Sequence, residues 1–560
     1  MSFEWLNENS RKFLINGYLS EGETPEGRVR DIAEHAEKLL GIEGFADKFY
    51  DYAGRGWYSL SSPVWSNYGK DRGLPVSCFG SWIGDSIGEI LYTQAEVGMM
   101  SKMGGGTSGY FGDIRPRGSD ITDNGKTSGS VHFMELFDKI TNVISQGNMR
   151  RGRMAPYLPV EHNDIEEFLK IGTEGHPIQS MTTGVTVGDE WLQEMIDGDP
   201  GKRELWAKVL QSRSEIGYPY VMFKDNANKN KPQVYKDKGR EIFSSNLCTE
   251  IMLPQNEEES FVCVLSSMNA LHYDDWKDTD AVETLIYFLD TVVTELLNKL
   301  EEYRDSDDSE DRIVFDFMER AYTFAKKHRA LGAGILGLHS LFQSKMLSFD
   351  GKEAAKLNYQ VFKTLHDKSY AASEELAVMF GEPEMLEGYG RRNTTLNAVA
   401  PTTSSSFILG QVSQSIEPFM SNYYIKDLAK LKAEVKNPFL EGILRDKGYD
   451  TPEVWQSIAS RDGSVQHLDF LSDHEKEVFL TFKEINPVAI LNQAGVRQDY
   501  LDQTQSLNLM ISSDYSVKDI NKLMIMAWQL GLPTLYYQHS VNAAQDFARN
   551  RMMECKACEA

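Results

Sequence analysis

Ser245-Asn246-Leu247-Cys248-Thr249-Glu250 sets a thiol between an amide and a carboxyl group at alternate positions. If the segment is extended, residues 246, 248 and 250 share one face, and sulfur, amide and carboxylate point into the same space. That layout suits a reaction, because the reactivity of a cysteine is set by its surroundings. An inert core cysteine in a strand is the competing reading, and it would suit a lone thiol.

Working outward, the other cysteines of the chain's five fall into two groups. Cys78 follows Pro75-Val76-Ser77 and Cys263 follows Ser260-Phe261-Val262, both well inside the chain. They are a redox pair or two independent core thiols, since Cys is among the most buried residue types. Cys555 and Cys558 form a CxxC in the stretch Met552-Met553-Glu554-Cys555-Lys556-Ala557-Cys558-Glu559-Ala560, which has no apolar periodicity. A dithiol on such a strip can carry reducing equivalents by thiol–disulfide exchange. Half a zinc site is the alternative, but zinc takes four ligands, and no second CxxC or nearby His pair accompanies the isolated His539.

The bulk composition is that of an ordinary globular protein, 41% hydrophobic and 25% charged, so disorder is not expected. A length of 560 residues allows several domains, although barrel enzymes keep far more than the usual number around one core. A formal net charge of -25 opposes binding to nucleic acid, which needs clustered Lys and Arg. A polyanionic substrate must therefore be held by local donors. No basic segment followed by an apolar core opens the chain, and no run of about 18 apolar residues could span a bilayer, so neither a secretory leader nor a membrane partner is expected. The odd cysteine count, without a short disulfide framework, fits a reducing cytoplasm.

The first stretch, to about residue 70, reads as helical and aromatic. Thr24 can cap a helix with Pro25 in its first position; Val29, Ile32, Ala33, Ala36, Leu39 and Leu40 then recur at helical spacing until Gly41 stops it. From Leu74 onward, short β-rich segments such as Gly217 to Phe223 and Ser260 to Leu265 alternate with long helical patterns, the clearest through Leu285, Leu289, Val292, Leu296 and Leu300. Such alternation predicts an α/β architecture with largely parallel strands. The acidic run Glu301 to Asp311 reads as a solvated loop or a frayed helix end.

Further independent motifs follow in order: the run Pro401-Thr402-Thr403-Ser404-Ser405 and the string Thr534-Leu535-Tyr536-Tyr537-Gln538. Together with the Asn246, Cys248, Glu250 triplet and the tail cysteines, they make the chain resemble the large (alpha, catalytic) subunit of class I ribonucleotide reductases over nearly its whole length. The resemblance implies a ten-stranded α/β barrel of two antiparallel five-stranded halves, with Cys248 on a central finger loop. It implies a helical N-terminal domain over 1–70, the barrel over 71–545 and a flexible redox tail over 546–560. Relatives often begin with a regulatory ATP-cone; here the helical domain starts almost at Met1, so the form lacking that cone, and its control of activity, is expected.

By the same resemblance, Cys248 is a transient thiyl radical, Glu250 the base on the substrate's 3′-hydroxyl, and Asn246 the residue that orients the sugar. Cys78 and Cys263 supply two electrons by closing to a disulfide, and Cys555 and Cys558 restore them from thioredoxin or glutaredoxin. Tyr536 and Tyr537 relay the oxidising hole from a metal-bearing small (beta) subunit, so this chain itself needs no metal or bound cofactor. Read without the resemblance, adjacent tyrosines in a strand would put one ring in the core and one at the surface. Ser62, Ser77 and the Pro401, Thr402, Thr403, Ser404, Ser405 run hold a ribonucleoside diphosphate, the clustered hydroxyls standing where a helix N-terminus could bind anions; some relatives carry Glu in place of Thr403. Asp85 and Arg115 match positions that hold a deoxynucleoside triphosphate or ATP effector with Mg2+. The loop containing Gln146, Asn148, Arg150 and Arg151 resembles the segment that relays effector identity, unless it is merely a solvated basic loop. A homodimer is expected from family habit. The alternatives are a cobalamin-dependent reductase, against which the tyrosine pair speaks, and a catalytically silent nucleotide-binding regulatory subunit, against which the intact triplet speaks.

Gly332, Gly334 and Gly337 fit GxGxxG but follow Lys326-Lys327-His328-Arg329 and not a clear strand, so the dinucleotide fingerprint lacks its context. Gly125-Lys126-Thr127 imitates the end of a P-loop, yet Asp120 stands where the first glycine belongs.

Overall fold

The computed structural model describes residues 3–146, 152–428, 431–512 and 515–540. The expected N-terminal helix runs Pro25–Leu40: the Thr24 side chain accepts from the Gly27 N–H at 3.1 Å, and Gly41 closes the helix with φ 65°. Its buried stripe of Val29, Ile32, Ala33 and Ala36 packs on the helices Phe45–Gly54 and Ala281–Asp305. Buried Arg28 leaves this helix to donate to the carbonyls of Trp65, Val64 and Tyr68 at 3.0, 2.9 and 2.6 Å. It thereby satisfies the open end of the short helix Ser62–Asn67.

The strands Cys78–Trp82, Gly106–Tyr110, Met154–Pro159, Gly184–Val187 and Tyr220–Phe223 pair in that order, all parallel. A second parallel set begins with Phe261–Asn269 and Leu331–Leu336. Parallel bridges Ala333 to Asn397 and Val399 to Gln505 extend it, and Leu509–Ile511 pairs parallel with Gln538–Ser540. The two sets run antiparallel to each other. One seam joins Cys78–Trp82 to Phe261–Asn269; at the other, Thr534–Leu535 crosses to Tyr220–Phe223. Every residue of Phe261–Asn269 and Leu331–Leu336 is buried, as strands covered on both faces require. The architecture is α/β, a curled sheet preceded by a helical region, in agreement with expectation.

Two expectations need correction. The acidic run is mostly helical: the helix Ala281–Asp305 carries through its first half, and Asp308 caps the helix Ser309–His328 by accepting from the Glu310 N–H at 2.9 Å. Carboxylates beside a helix N-terminus are stabilising, which is why this charge block need not fray. The GxGxxG stretch does lie in a strand, Leu331–Leu336, leading through Gly337 at φ 75° into the helix Leu338–Ser344. Its first two glycines are inside the strand, however. A Cβ on Gly334 would sit 2.5 Å from the Ala398 carbonyl oxygen, and one on Gly332 would sit 2.5 Å from the Leu265 side chain. Close strand packing, not a phosphate, explains them. The P-loop mimic is an exposed hairpin of Asp120–Ile121 and Gly125–Lys126. Among the described residues no helix is long and apolar enough to cross a membrane.

Candidate active site

Residues 241–256 form neither helix nor strand, yet most of them are buried. Buried irregular backbone must find partners for its polar groups, and here two strands and the segment 503–506 supply them. Tyr157 Oη donates to the Asn246 carbonyl at 2.8 Å, Ser506 Oγ to the Cys248 carbonyl at 2.5 Å, and Thr534 Oγ1 to the Thr249 carbonyl at 2.8 Å. The Thr504 N–H donates to the Glu250 carbonyl at 3.1 Å, and the Met252 N–H to Gln503 Oε1 at 3.1 Å. The loop can approach the sheet because Gly106 has no side chain: a Cβ there would meet Leu247 at 3.1 Å. The segment is a turn, with Thr249 in the left-handed region at φ 65°. Strand alternation is therefore not what groups Asn246, Cys248 and Glu250; the clamped turn is.

Cys78 and Cys263 occupy directly opposite positions across the antiparallel seam. Opposed residues of such a pair have Cα atoms about 4.5–5.5 Å apart, inside the roughly 4.4–6.8 Å that a disulfide spans. Asn246 Nδ2 donates to Cys78 Sγ at 3.5 Å, and Gln503 Nε2 to Cys263 Sγ at 3.5 Å. Burial pushes both thiols well up, and the Glu250 charge adds to the rise, so both stay protonated. Burial also raises Glu250 to about 7, against the opposing influence of Asn246, its own amide and Ser506. Its Oε1 has no hydrogen-bond partner among the described residues. A buried carboxyl poised near neutrality is suited to passing a proton.

Cys248 is buried in a cluster with Tyr157, Tyr220, Tyr536 and Tyr537. Tyr536 and Tyr537 fall in the break between Thr534–Leu535 and Gln538–Ser540, so both rings turn inward with centroids 4.4 Å apart. The bland strand reading, one in and one out, does not hold. Tyr220 contacts both rings, at 4.8 and 5.0 Å between centroids.

A model of the ribonucleotide reductase barrel domain matches residues 76–202, 199–385 and 382–538. A putative ribonucleoside-diphosphate reductase large subunit from Frog virus 3 is 33% identical, over 94% of this chain and 94% of its own length. The large subunit from Invertebrate iridescent virus 3 is 31% identical, over 94% of this chain and 92% of its own. The chain belongs to the ribonucleotide reductase large-subunit family. Among solved structures, the Actinobacillus ureae class Id ribonucleotide reductase alpha subunit superposes with a TM-score of 0.90 at 56% identity, covering 97% of this chain and 99% of that one. The protein is accordingly an oxidoreductase, a ribonucleotide reductase catalytic subunit.

The remaining site positions of this reductase subunit divide as follows. Thr402 stands at φ 52° before the short helix Thr403–Ile408; Ser404 and Ser405 are buried with it, and the Ser405 hydroxyl reaches the Leu60 carbonyl at 3.5 Å. Ser62 and Ser77 are likewise buried, Ser77 directly before the Cys78 strand. Asp85 and Arg115 meet: Arg115 donates from Nε at 2.7 Å and from its N–H at 3.0 Å. Gln146 donates to Asn67 Oδ1 at 3.1 Å. Asn148, Arg150, Arg151, Cys555 and Cys558 lie outside the described residues. The clamps Tyr157, Gln503, Thr504 and Ser506, and the third ring Tyr220, carried no motif by which the sequence could mark them as part of the site; Thr534 opens the tyrosine string, but nothing there foretold its bond to the turn.

Proposed function

We propose that this subunit reduces ribonucleoside diphosphates to 2′-deoxyribonucleotides through a Cys248 thiyl radical. The observation that carries the reading is the direct opposition of Cys78 and Cys263 beneath a sealed turn that also holds Asn246 and Glu250. The thiyl takes the 3′ hydrogen atom, leaving a carbon radical and a Cys248 thiol. Glu250 accepts the 3′-hydroxyl proton, and the 2′-hydroxyl departs as water with a proton from the Cys78–Cys263 pair. The two thiols give up two electrons and two protons in becoming a disulfide: one proton leaves in the water, the other ends with an electron as the new hydrogen on C2′, and the second electron reduces the resulting 3′-ketone while Glu250 returns its proton to the 3′ oxygen. Cys248 then returns its hydrogen atom to C3′ and is again a thiyl. Asn246 orients the sugar.

Ser62, Ser77 and the Pro401, Thr402, Thr403, Ser404, Ser405 run hold the diphosphate. Tyr536 and Tyr537 carry the hole from a metal-bearing small subunit, and Cys555 and Cys558 return electrons from thioredoxin or glutaredoxin. Asp85 and Arg115, with Gln146, Asn148, Arg150 and Arg151, serve a deoxynucleoside triphosphate or ATP effector with Mg2+. The helical segment 1–70, the barrel 71–545 and the tail 546–560 divide these tasks in a cytoplasmic enzyme. A homodimer is supported by exposed Ile87 and Leu91 on the helix Ile87–Lys102 beside exposed Leu136 and Val143 on the packed helix Ser130–Val143, apolar groups that a partner would cover.

The test is turnover of the four ribonucleoside diphosphates with the cognate small subunit and a series of effectors. Wild type turns over and Cys248→Ser does not, even with excess dithiol. Cys555→Ser with Cys558→Ser loses thioredoxin-driven turnover and keeps dithiothreitol-driven turnover. Turnover by Cys248→Ser would overturn the reading.

A further inference from the structure

The loop after the short helix Thr403–Ile408 is held in a costly shape. Gln411 at φ 73° and Ser415 at φ 47° join Thr402 at φ 52° in the left-handed region, and strain of this kind gathers at sites that use it. The loop is laced to the hydroxyl run. The Ser415 N–H donates to Thr402 Oγ1 at 2.8 Å, and Thr403 Oγ1 donates to Gln414 Oε1 at 3.3 Å.

From there a continuous set of hydrogen bonds leads to the tyrosines. The Glu417 N–H donates to the Gln414 carbonyl at 2.9 Å. Asn508 Nδ2 donates to buried Glu417 Oε1 at 2.5 Å, and Asn508 Oδ1 accepts from the Tyr537 N–H at 3.2 Å. On either side of Asn508, the Tyr536 N–H donates to the Leu507 carbonyl at 2.9 Å and the Leu509 N–H to the Tyr537 carbonyl at 3.0 Å. Burial raises the Glu417 carboxyl to about 7, and a hydrogen bond to a group withdrawn from water fixes geometry.

We propose that Glu417 and Asn508 are positioning residues, a bridge that holds the Tyr536–Tyr537 pair in register with the hydroxyl cradle of the substrate. The proposal rests on the cradle and relay assignments above. Neither residue touches a reacting atom; the bridge makes the tyrosine backbone move with the cradle, so that the relay is aligned when the cradle is filled.

The test separates the bridge from simple packing. Asn508→Asp keeps the acceptor for the Tyr537 N–H and removes the amide donor to Glu417; it is assayed up to about pH 9, where the Glu417 carboxyl, raised to about 7 by burial, is ionised and supplies no proton of its own. Combined with Glu417→Gln, it restores the bond with donor and acceptor exchanged. Both are assayed as full chains with the small subunit, and both are checked by thermal melting. Asn508→Asp is expected to lower kcat by about tenfold or more while KM for the diphosphate stays within about twofold, the size of effect that one buried hydrogen bond controls. The exchanged pair is expected to recover most of the loss. Unchanged kcat in Asn508→Asp, or a loss that the exchanged pair fails to recover while melting normally, would overturn the bridge. Tyr537→Phe is the control: an inactive Tyr537→Phe beside a fully active Asn508→Asp removes the bridge alone, whereas an active Tyr537→Phe removes the relay assignment beneath it.

Discussion

Cys78 and Cys263 face each other across the antiparallel seam between the two halves of the barrel, each sulfur receiving a side-chain amide N–H. Their separation by about a third of the chain is closed by strand register alone. Replacing either with Ser leaves a site that can be loaded but not cycled. Steady turnover is expected to fall by on the order of 10³ or more, as when one member of a cooperating set is removed. In a chain carrying Cys555→Ser and Cys558→Ser, a turnover without external reductant followed by alkylation and mass spectrometry should find this pair joined; recovery of both as alkylated thiols would contradict it.

With Glu250 as the proposed base, activity should follow pH. With its carboxyl raised to about 7 by burial, the ionised base accumulates as pH climbs through neutrality, and kcat should rise with it. Glu250→Gln removes that limb and lowers kcat by on the order of 10²–10⁴. Stability runs in the opposite direction. The folded state favours the neutral carboxyl, and that contribution is lost as pH rises from the ordinary 4.5 through about 7. Glu250→Gln should melt above wild type at pH 8 and level with it near pH 4; the reverse order would refute the assignment of a buried, uncompensated carboxyl.

Tyr157 anchors the turn. Tyr157→Phe leaves the buried Asn246 carbonyl without its 2.8 Å donor, which should cost about 1–3 kcal/mol in denaturant unfolding. No loss of stability would mean that the clamp is redundant.

Gly334 and Gly17 should respond with opposite signs. Gly334→Ala drives a methyl to 2.5 Å from the Ala398 carbonyl oxygen on the adjoining segment, where backbone must move, and about 1–3 kcal/mol of destabilisation is expected. Gly17 ends a helix with nothing within 4 Å of an added Cβ. Gly17→Ala should be neutral or stabilising by up to about 1 kcal/mol. Equal effects in thermal or denaturant melts would exclude packing as the reason for the strand glycines.

What could be read from the residues was whatever is decided locally. The helix from Thr24 to Gly41 declares its own cap, stripe and stop. The family resemblance brought the cysteines together, because no local pattern reports that positions 78 and 263 share a register. Leu331–Leu336 was missed as a strand since its alternate glycines lack the branched side chains that mark one, and its conformation is imposed by neighbours on both sides. The turn at Cys248 was hidden for a related reason: Thr249 adopts a positive φ that only its tertiary clamps sustain. Tyr157, Ser506 and Thr534 are ordinary residues whose importance comes from the carbonyls they meet.

The position of the cysteine pair on the seam has a mechanical side. Joining Cys78 to Cys263 ties one half of the barrel covalently to the other and closes a loop of well over 100 residues, a constraint on the unfolded chain worth on the order of 5 kcal/mol. On the proposed cycle the spent enzyme should be the tougher one, harder to melt and slower to be digested. Each reduction should loosen the barrel again, so that resistance to heat or protease would serve as a clock of the cycle.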